Sequence, residues 1–226
     1  MAAIHIRDAG ISPDDAAFIV EAFDSTLPHL AAVGSGGMWG SQPFSEKDGF
    51  AEETAKDVQT SVEYQATGAG DALRIFVAEV EVGTEATPHA GLRYRTADDG
   101  RRYLSVGAAF VREEWLPDHV KGQFDVEEVR AELEGREGFV FLDVLVADFR
   151  TGGMREGAGE ALVRRACEYG LEKGKKILYL DAWSGNERKL VRYYERLGFT
   201  AVAGFELKRA GKTTWPDTIL RKDFAN

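Results

Sequence analysis

Residues 139–146 read FVFLDVLV, seven apolar side chains and one carboxylate with no polar alternation. A half-exposed strand alternates apolar and polar side chains, so a run like this one belongs to a strand covered on both faces. It leads into ADFRTGGMREGAGEALVRRA, where Gly152, Gly153, Gly157 and Gly159 precede or open a segment with Ala158, Leu162, Ala166 and Tyr169 at helical spacing. A buried strand, a glycine-rich turn and a helix require a layered architecture with helices packed on a sheet.

The rest of the chain extends that pattern. Ile4–Arg7 alternates as a short strand. Ser12-Pro13-Asp14-Asp15 predicts a helix start, with serine as cap and proline in the first helical position; Ala16, Ile19, Val20, Phe23 and Leu27 follow in phase. Ser45–Asp48 predicts a second start, before Phe50, Val58 and Val62. Strands at 73–82 and 103–111, joined by the turn-like segment 83–101, predict a long antiparallel hairpin. A short helix at 125–133, the strand at 139–146 and a helix at 157–172 come next. A strand at 176–183, a helix at 187–197 ended by Gly198, and strands near 199–208 and 218–224 complete the chain. The expected fold is mixed α/β, a single domain over residues 1–226.

Composition narrows the function classes. With 38 acidic and 28 basic side chains the net charge is −10, a poor surface for nucleic acid or anionic membranes. No apolar run approaches the roughly 18 residues of a membrane helix. The first residues lack a signal-peptide pattern, and Cys167 is the only cysteine, so no internal disulfide forms and a cytoplasmic location is expected. His5, His29, His89 and His119 are scattered without metal-ligand spacing, and no metal is expected.

Two segments carry chemistry. At 147–160 the glycines let backbone N–H groups at a helix start approach an anion, with Arg150 and Arg155 adding positive charge. At 177–199, ILYLDAWSGNERKLVRYYERLGF places a polar turn and a short helix after a strand. A GxGxxG after an early strand is missing, and with the long hairpin this argues against a Rossmann-type nucleotide enzyme.

Together the two segments resemble the GNAT superfamily of N-acetyltransferases. The family's Q/R-x-x-G-x-G/A pyrophosphate loop is matched in its second half by Gly157-Ala158-Gly159, and its YEKLGF signature by Tyr194-Glu195-Arg196-Leu197-Gly198-Phe199. Three departures stand out. Met154 occupies the Gln/Arg position, the stretch from Val146 to Gly157 is longer than the family's, and Asn186 lies eight residues before Tyr194, one more than the family's spacing.

The resemblance implies a mostly antiparallel twisted sheet, split by a coenzyme A cleft and flanked by helices. Relative to a minimal member, additions fall near 28–45, 83–101 and 112–137. Acetyl-CoA would be the cosubstrate. Its pantetheine arm would run along Val144, Leu145 and Val146, and its pyrophosphate would sit on the amides of Arg155, Glu156, Gly157, Ala158, Gly159 and Glu160. Asn186 would border the same arm. A backbone N–H near Val144 or Leu145 would meet the thioester carbonyl. Tyr194 matches the family's proton donor to the leaving thiolate, and a phenol is protonated at neutral pH. Tyr193 points about 100° away around the helix.

The residues themselves suggest a base. A charge inside the 139–146 strand has to be paired, solvated in a cleft or functional, and Asp143 is read as general base or substrate contact. Asp181 sits comparably in the next strand, and Glu79 and Glu81 share a strand face. His29 and His119 adjoin proline-containing loops near the substrate end, with surface exposure the plainer reading. Met38-Trp39-Gly40 is either a substrate wall or a packed surface loop. The implied activity is acetyl transfer to a primary amine of a small molecule by direct attack in a ternary complex, with a homodimer as the possible assembly. The alternatives are a non-catalytic acyl-CoA-binding module, a different acyl-CoA, and a peptide amine.

Overall fold

The computed structural model describes residues 3–83, 89–208 and 214–224. Eight strands, six α-helices and two short 3₁₀ helices (Phe44–Glu46 and Phe149–Arg155) occur among these residues. The strands are β1 Ile4–Asp8, β2 Leu73–Val82, β3 Tyr94–Thr96, β4 Arg102–Glu113, β5 Phe139–Ala147, β6 Ile177–Trp183, β7 Thr200–Leu207 and β8 Trp215–Asp223. The helices are α1 Asp15–Ala32, α2 Phe50–Thr67, α3 Asp118–Lys121, α4 Glu127–Leu133, α5 Ala158–Glu172 and α6 Gly185–Arg196.

One sheet runs in the order β1-β2-β4-β5-β6-β8-β7, with β3 paired to β4 off that path. Every pairing is antiparallel except β5 with β6. The fold is thus mixed α/β, with a mostly antiparallel sheet and one parallel pair. Apolar β5 is central, as its composition requires. Phe139, Val140, Phe141 and Leu142 are buried, and full burial of such a side chain contributes about 1.5–3 kcal/mol. Val140 and Leu142 meet α5 and α6, whereas Phe139 and Phe141 join the core under α3 and α4. Helices α1 and α2 cover β2 and β4 through Phe18, Ile19, Leu73, Ile75 and Phe110.

Two irregularities in β5 shape the site. Its parallel pairing with β6 covers only Phe139–Phe141 against Ile177–Tyr179, so beyond Leu142 the two strands diverge. Opposite β4, Val144 pairs with Phe110 and Leu142 with Val111, which leaves Asp143 as a bulged residue.

Several local expectations are corrected. Helix α1 starts at Asp15 instead of Pro13. The Asp15 carboxylate is tied to the Gly10 amide and to Arg7, at 2.7 Å each, which holds residues 10–14 outside the helix. Pro28 lies inside α1 without ending it. Helix α2 begins at Phe50 after a left-handed Gly49, not at Ser45. Trp215 and Pro216 open β8 instead of preceding it. In α6, Asn186, Glu187 and Arg188 all have positive φ (49°, 55° and 60°), so the regular right-handed turns begin after them. Left-handed non-glycine residues cost about 1–2 kcal/mol each.

Candidate active site

The gap between β5 and β6 opens into a cavity of about 700 Å³. Its walls come from β5 (Leu142–Ala147), the turn and first residues of α5 (Phe149, Arg155, Glu156, Gly157, Gly159), β6 (Asp181–Trp183) and α6 (Leu190, Tyr193, Tyr194). Phe23, Thr26, His29, Leu30, Met38 and Trp39 close it from α1 and the loop after it, and His119 and Trp215 complete it.

Nine of the residues expected from the sequence therefore line one cavity: Asp143, Val144, Leu145, Val146, Arg155, Glu156, Gly157, Gly159 and Tyr194. Three do not line it. Ala158 is fully buried in the core below α5, and Glu160 is exposed. The Asn186 amide donates to the Val33 carbonyl (2.9 Å) and to Ser35 Oγ (2.6 Å), and so ties the start of α6 to the chain leaving α1. Segments 28–45 and 112–137 contribute to the wall, whereas the described residues of 83–101 do not.

One end of the cavity suits an anion. Gly157 caps α5 at φ 86°, a conformation that glycine adopts without strain, and a Cβ there would meet nothing within 4 Å. The first amides of α5 are thereby left free of side-chain cover. A Cβ on Gly159 would lie 2.6 Å from the Tyr193 hydroxyl. The two arginines of the turn differ. Arg150 is spent on Asp148 (2.7 Å), Glu21 (3.2 Å) and the Gly91 carbonyl (2.8 Å). Arg155 makes no ion pair among the described residues, its buried Nε is unbonded, and its guanidinium lies 4.1 Å from the Phe149 ring centroid. His29 stacks on the other partner in this group, its ring 3.9 Å from Phe149. Burial first, and then Arg155, hold His29 below the ordinary histidine pKa, in its neutral form.

Away from these groups the cavity wall carries the carboxylates Asp143 and Asp181 and the imidazole of His119. Asp143 pairs with Arg112 Nε at 3.0 Å, and Arg112 also reaches Asp57 at 3.3 Å. Desolvation is the largest influence on Asp143 and raises its pKa; Arg112 opposes this, and Asp181 and Asp57 add to it. His119 Nε2 lies 3.1 Å from Asp181 Oδ2. Behind Asp181, Asp217 is 2% exposed, with Oδ1 accepting from the Thr218 amide at 2.8 Å. Its pKa is pushed up to about 9, by burial first and by Asp181 second. One atom of each of His119, Asp181 and Asp217 lies within 4.8 Å of the others. The proton held by Asp217 relieves the like-charge contact that this packing would otherwise create.

Tyr194 is 6% exposed, and its hydroxyl makes no hydrogen bond among the described residues. Burial, then Tyr193 and Asp181, raise its pKa, which keeps the phenol protonated. Tyr193 lines the same cavity, its ring 5.2 Å from that of Tyr194; it does not turn away from the site. Of the other acids, Glu79 is fully buried between Arg7 and Arg95 (2.5 and 2.7 Å) and serves the β1–β2–β3 region. Sequence reasoning missed Asp217, Trp183, Trp215 and Phe149. It also read His29 and His119 as surface residues, whereas both face the cavity. Asp217 carried a weak signal, as the lone acid in the run WPDTIL.

This sheet order, with its diverging parallel pair, is the fold of the GNAT acetyltransferases. Solved structures match it over nearly the whole chain. An acetyltransferase of the GNAT family from Streptococcus pneumoniae matches with TM-score 0.54 and 15% identity, over 98% of this chain and 100% of that one. The yncA protein of Salmonella typhimurium, solved with its cofactor acetyl-CoA, gives 0.56 and 17%, over 98% and 94%. An N-acetyltransferase from Staphylococcus aureus Mu50 gives 0.52 and 12%, over 98% and 99%. No family model and no curated protein sequence matches the chain. Among the described residues, no helix is long and apolar enough to cross a membrane.

Proposed function

We propose that the chain is an acetyl-CoA-dependent N-acetyltransferase acting on a primary amine of a small molecule. The observation that carries this reading is the divergence of β5 from β6 beyond Leu142, with an anion-ready helix start at one end and protonated Tyr194 in the wall. Backbone groups of Val144–Val146 on the β6 side have no ladder partner among the described residues and fit a pantetheine arm lying as an added strand. The pyrophosphate fits the amides from Arg155 to Glu160, with Arg155 taking the place of the family's Gln/Arg contact, since Arg150 is already paired.

Direct attack needs a neutral amine, a stabilised carbonyl oxygen and a proton for the departing thiolate. A backbone N–H near Val144 or Leu145 would stabilise the oxygen. Tyr194 gives its proton to the CoA sulfur as the carbon–sulfur bond breaks. Asp143 and Asp181 draw a cationic amine toward the thioester, and the rings of Trp39, Trp183 and Trp215 suit the face of an ammonium group. Segments 28–45 and 112–137 add His29, Leu30, Met38, Trp39 and His119 to the cavity wall, which supports a small acceptor over a peptide.

The test is thiol release from acetyl-CoA over a panel of tyramine, spermidine, glucosamine, lysine methyl ester and kanamycin, with the product identified by mass. Release with an acetylated amine is expected. Calorimetric CoA binding without release from any amine would favour a binding module instead.

A further inference from the structure

The amine must lose a proton before or during attack, and the mechanism above gives that proton no destination. Among the described residues five cavity groups could accept it: Asp143, Asp181, His119, His29 and Glu156. His29, stacked on Phe149, and Glu156 lie with Arg155 at the anion end, where the pyrophosphate is placed. Asp143 is committed to Arg112 at 3.0 Å, an ion pair that protonation would break. Asp181 is committed to His119.

We propose that His119 is the general base, with Asp181 fixing its ring and Asp217 holding Asp181 from behind. The inference rests on the acetyltransferase reading. Its geometry does not. A carboxylate only accepts hydrogen bonds, so the 3.1 Å contact requires the proton of the neutral ring to sit on Nε2. Nδ1 then bears the lone pair, and it makes no hydrogen bond among the described residues. Helix α3, a single turn at Asp118–Lys121, carries the ring to the cavity wall, where its side chain is 38% exposed. Asp181 and Asp217 lie diagonally on one face of the antiparallel β6–β8 pair, where Asp181 opposes Ile219 and Trp183 opposes Asp217. Asp217 Oδ2 is buried with no hydrogen-bond partner among the described residues and lies within 4.8 Å of the other two groups, so its proton is free to turn to the Asp181 carboxylate behind the imidazole.

The proton balance closes. The ammonium first gives one proton through His119 Nδ1 to solvent; the neutral nitrogen then forms its bond to the acetyl carbon and gives a second proton to His119 Nδ1 as the carbon–sulfur bond breaks. Tyr194 gives one proton to the sulfur. His119 returns its proton to solvent through the cavity mouth, and the phenolate is reprotonated from solvent in the same interval.

The titratable groups facing the imidazole are Asp181 from β6, protonated Asp217 from β8, Asp143 from β5 and Asp118 on its own turn; Lys121 is drawn off to Asp118 at 3.2 Å. Desolvation lowers the His119 pKa, but Asp181, Asp143 and Asp118 together outweigh it, and the net shift is upward from 6.5. A base must be unprotonated, so the acid limb of kcat/KM should lie above pH 6.5 and move to lower pH when Asp181 loses its charge.

The experiment combines kinetics and NMR. With acetyl-CoA and the fastest amine of the panel, His119→Gln should lower kcat by about 10²–10⁴-fold and remove the acid limb, with CoA affinity unchanged. Asp181→Asn should move the limb to lower pH. Asp217→Asn, which keeps a donor toward Asp181, should turn over faster than Asp217→Leu. Independently of any amine, ¹⁵N shifts of the His119 ring should show the neutral form protonated on Nε2. An Nδ1-protonated ring, or a full rate and unmoved limb in His119→Gln, would overturn the proposal and leave the acetyltransferase reading standing. Loss of activity in EDTA with recovery on added zinc would also overturn it. Failure of the wild type to release thiol from any amine would instead count against the activity, and the tautomer would still decide the geometry.

Discussion

Replacing Asp217 by asparagine exchanges a buried carboxyl for an amide of the same shape, and the effect on stability should depend steeply on pH. The folded chain holds the Asp217 proton up to about pH 9, whereas its ordinary value is 3.8. Between these values the folded state binds one proton more than the unfolded state. Stability then falls as pH rises, by about 1.4 kcal/mol per pH unit. At pH 8 the loss has a ceiling of roughly 5–6 kcal/mol, and relaxation of the site around an ionised Asp217 brings it to about 2–3 kcal/mol. Asparagine escapes this loss. Its oxygen can still accept from the Thr218 amide, and its NH₂ can donate to Asp181 in place of the lost proton. Asp217→Asn should therefore melt about 4–12 °C above the wild type at pH 8, with the gap closing near pH 4. Thermal melts by circular dichroism at pH 4, 6 and 8 measure this directly. An equal shift at all three pH values, or a lower Tm for the variant at pH 8, would refute the buried proton.

Three further expectations follow from the cavity. Tyr194→Phe should lower turnover at least about tenfold with CoA affinity and Tm nearly unchanged, since the ring packing stays; wild-type turnover would return Tyr194 to the core. Gly157→Asp should weaken CoA binding through a carboxylate at the anion site and a strained left-handed backbone, while the far-UV spectrum stays native; normal affinity would place the phosphates elsewhere. Gly159→Ala puts a methyl 2.6 Å from the Tyr193 hydroxyl, but in a Tyr193→Phe background the nearest atom is 3.7 Å away. The alanine should thus cost about 1 kcal/mol more in the wild-type background than in the Phe background, and equal costs in urea melts would contradict the packing.

What the sequence made legible is what local pattern encodes. The apolar run of β5, the glycines before α5 and the YERLGF end of α6 each sit in one continuous stretch, and they sufficed for the mixed sheet and one wall of the cavity. The missing parts are non-local. His119 and Asp181 are 62 residues apart, and their meeting depends on where the one-turn helix α3 lands on the sheet. Asp217 reaches them only through the β6–β8 register. Arg150 and Arg155 look alike in sequence, but Asp148 and Glu21 capture the first and leave the second at the cavity. Asn186 has a motif-like position, yet three left-handed residues turn its amide to Val33 and Ser35. Tyr193 seemed to point away by helical phase, and instead reaches Gly159 across the cavity.

The assignment of the β5–β6 opening as an acetyl-CoA site turns on where coenzyme A binds. A crystal structure of the chain soaked with CoA should show the pantetheine arm hydrogen-bonded along Val144–Val146, the pyrophosphate on the amides from Arg155 to Glu160 with Arg155 beside it, and the sulfur next to the Tyr194 hydroxyl. CoA bound outside the β5–β6 opening, or bound there with its sulfur away from Tyr194, would contradict it.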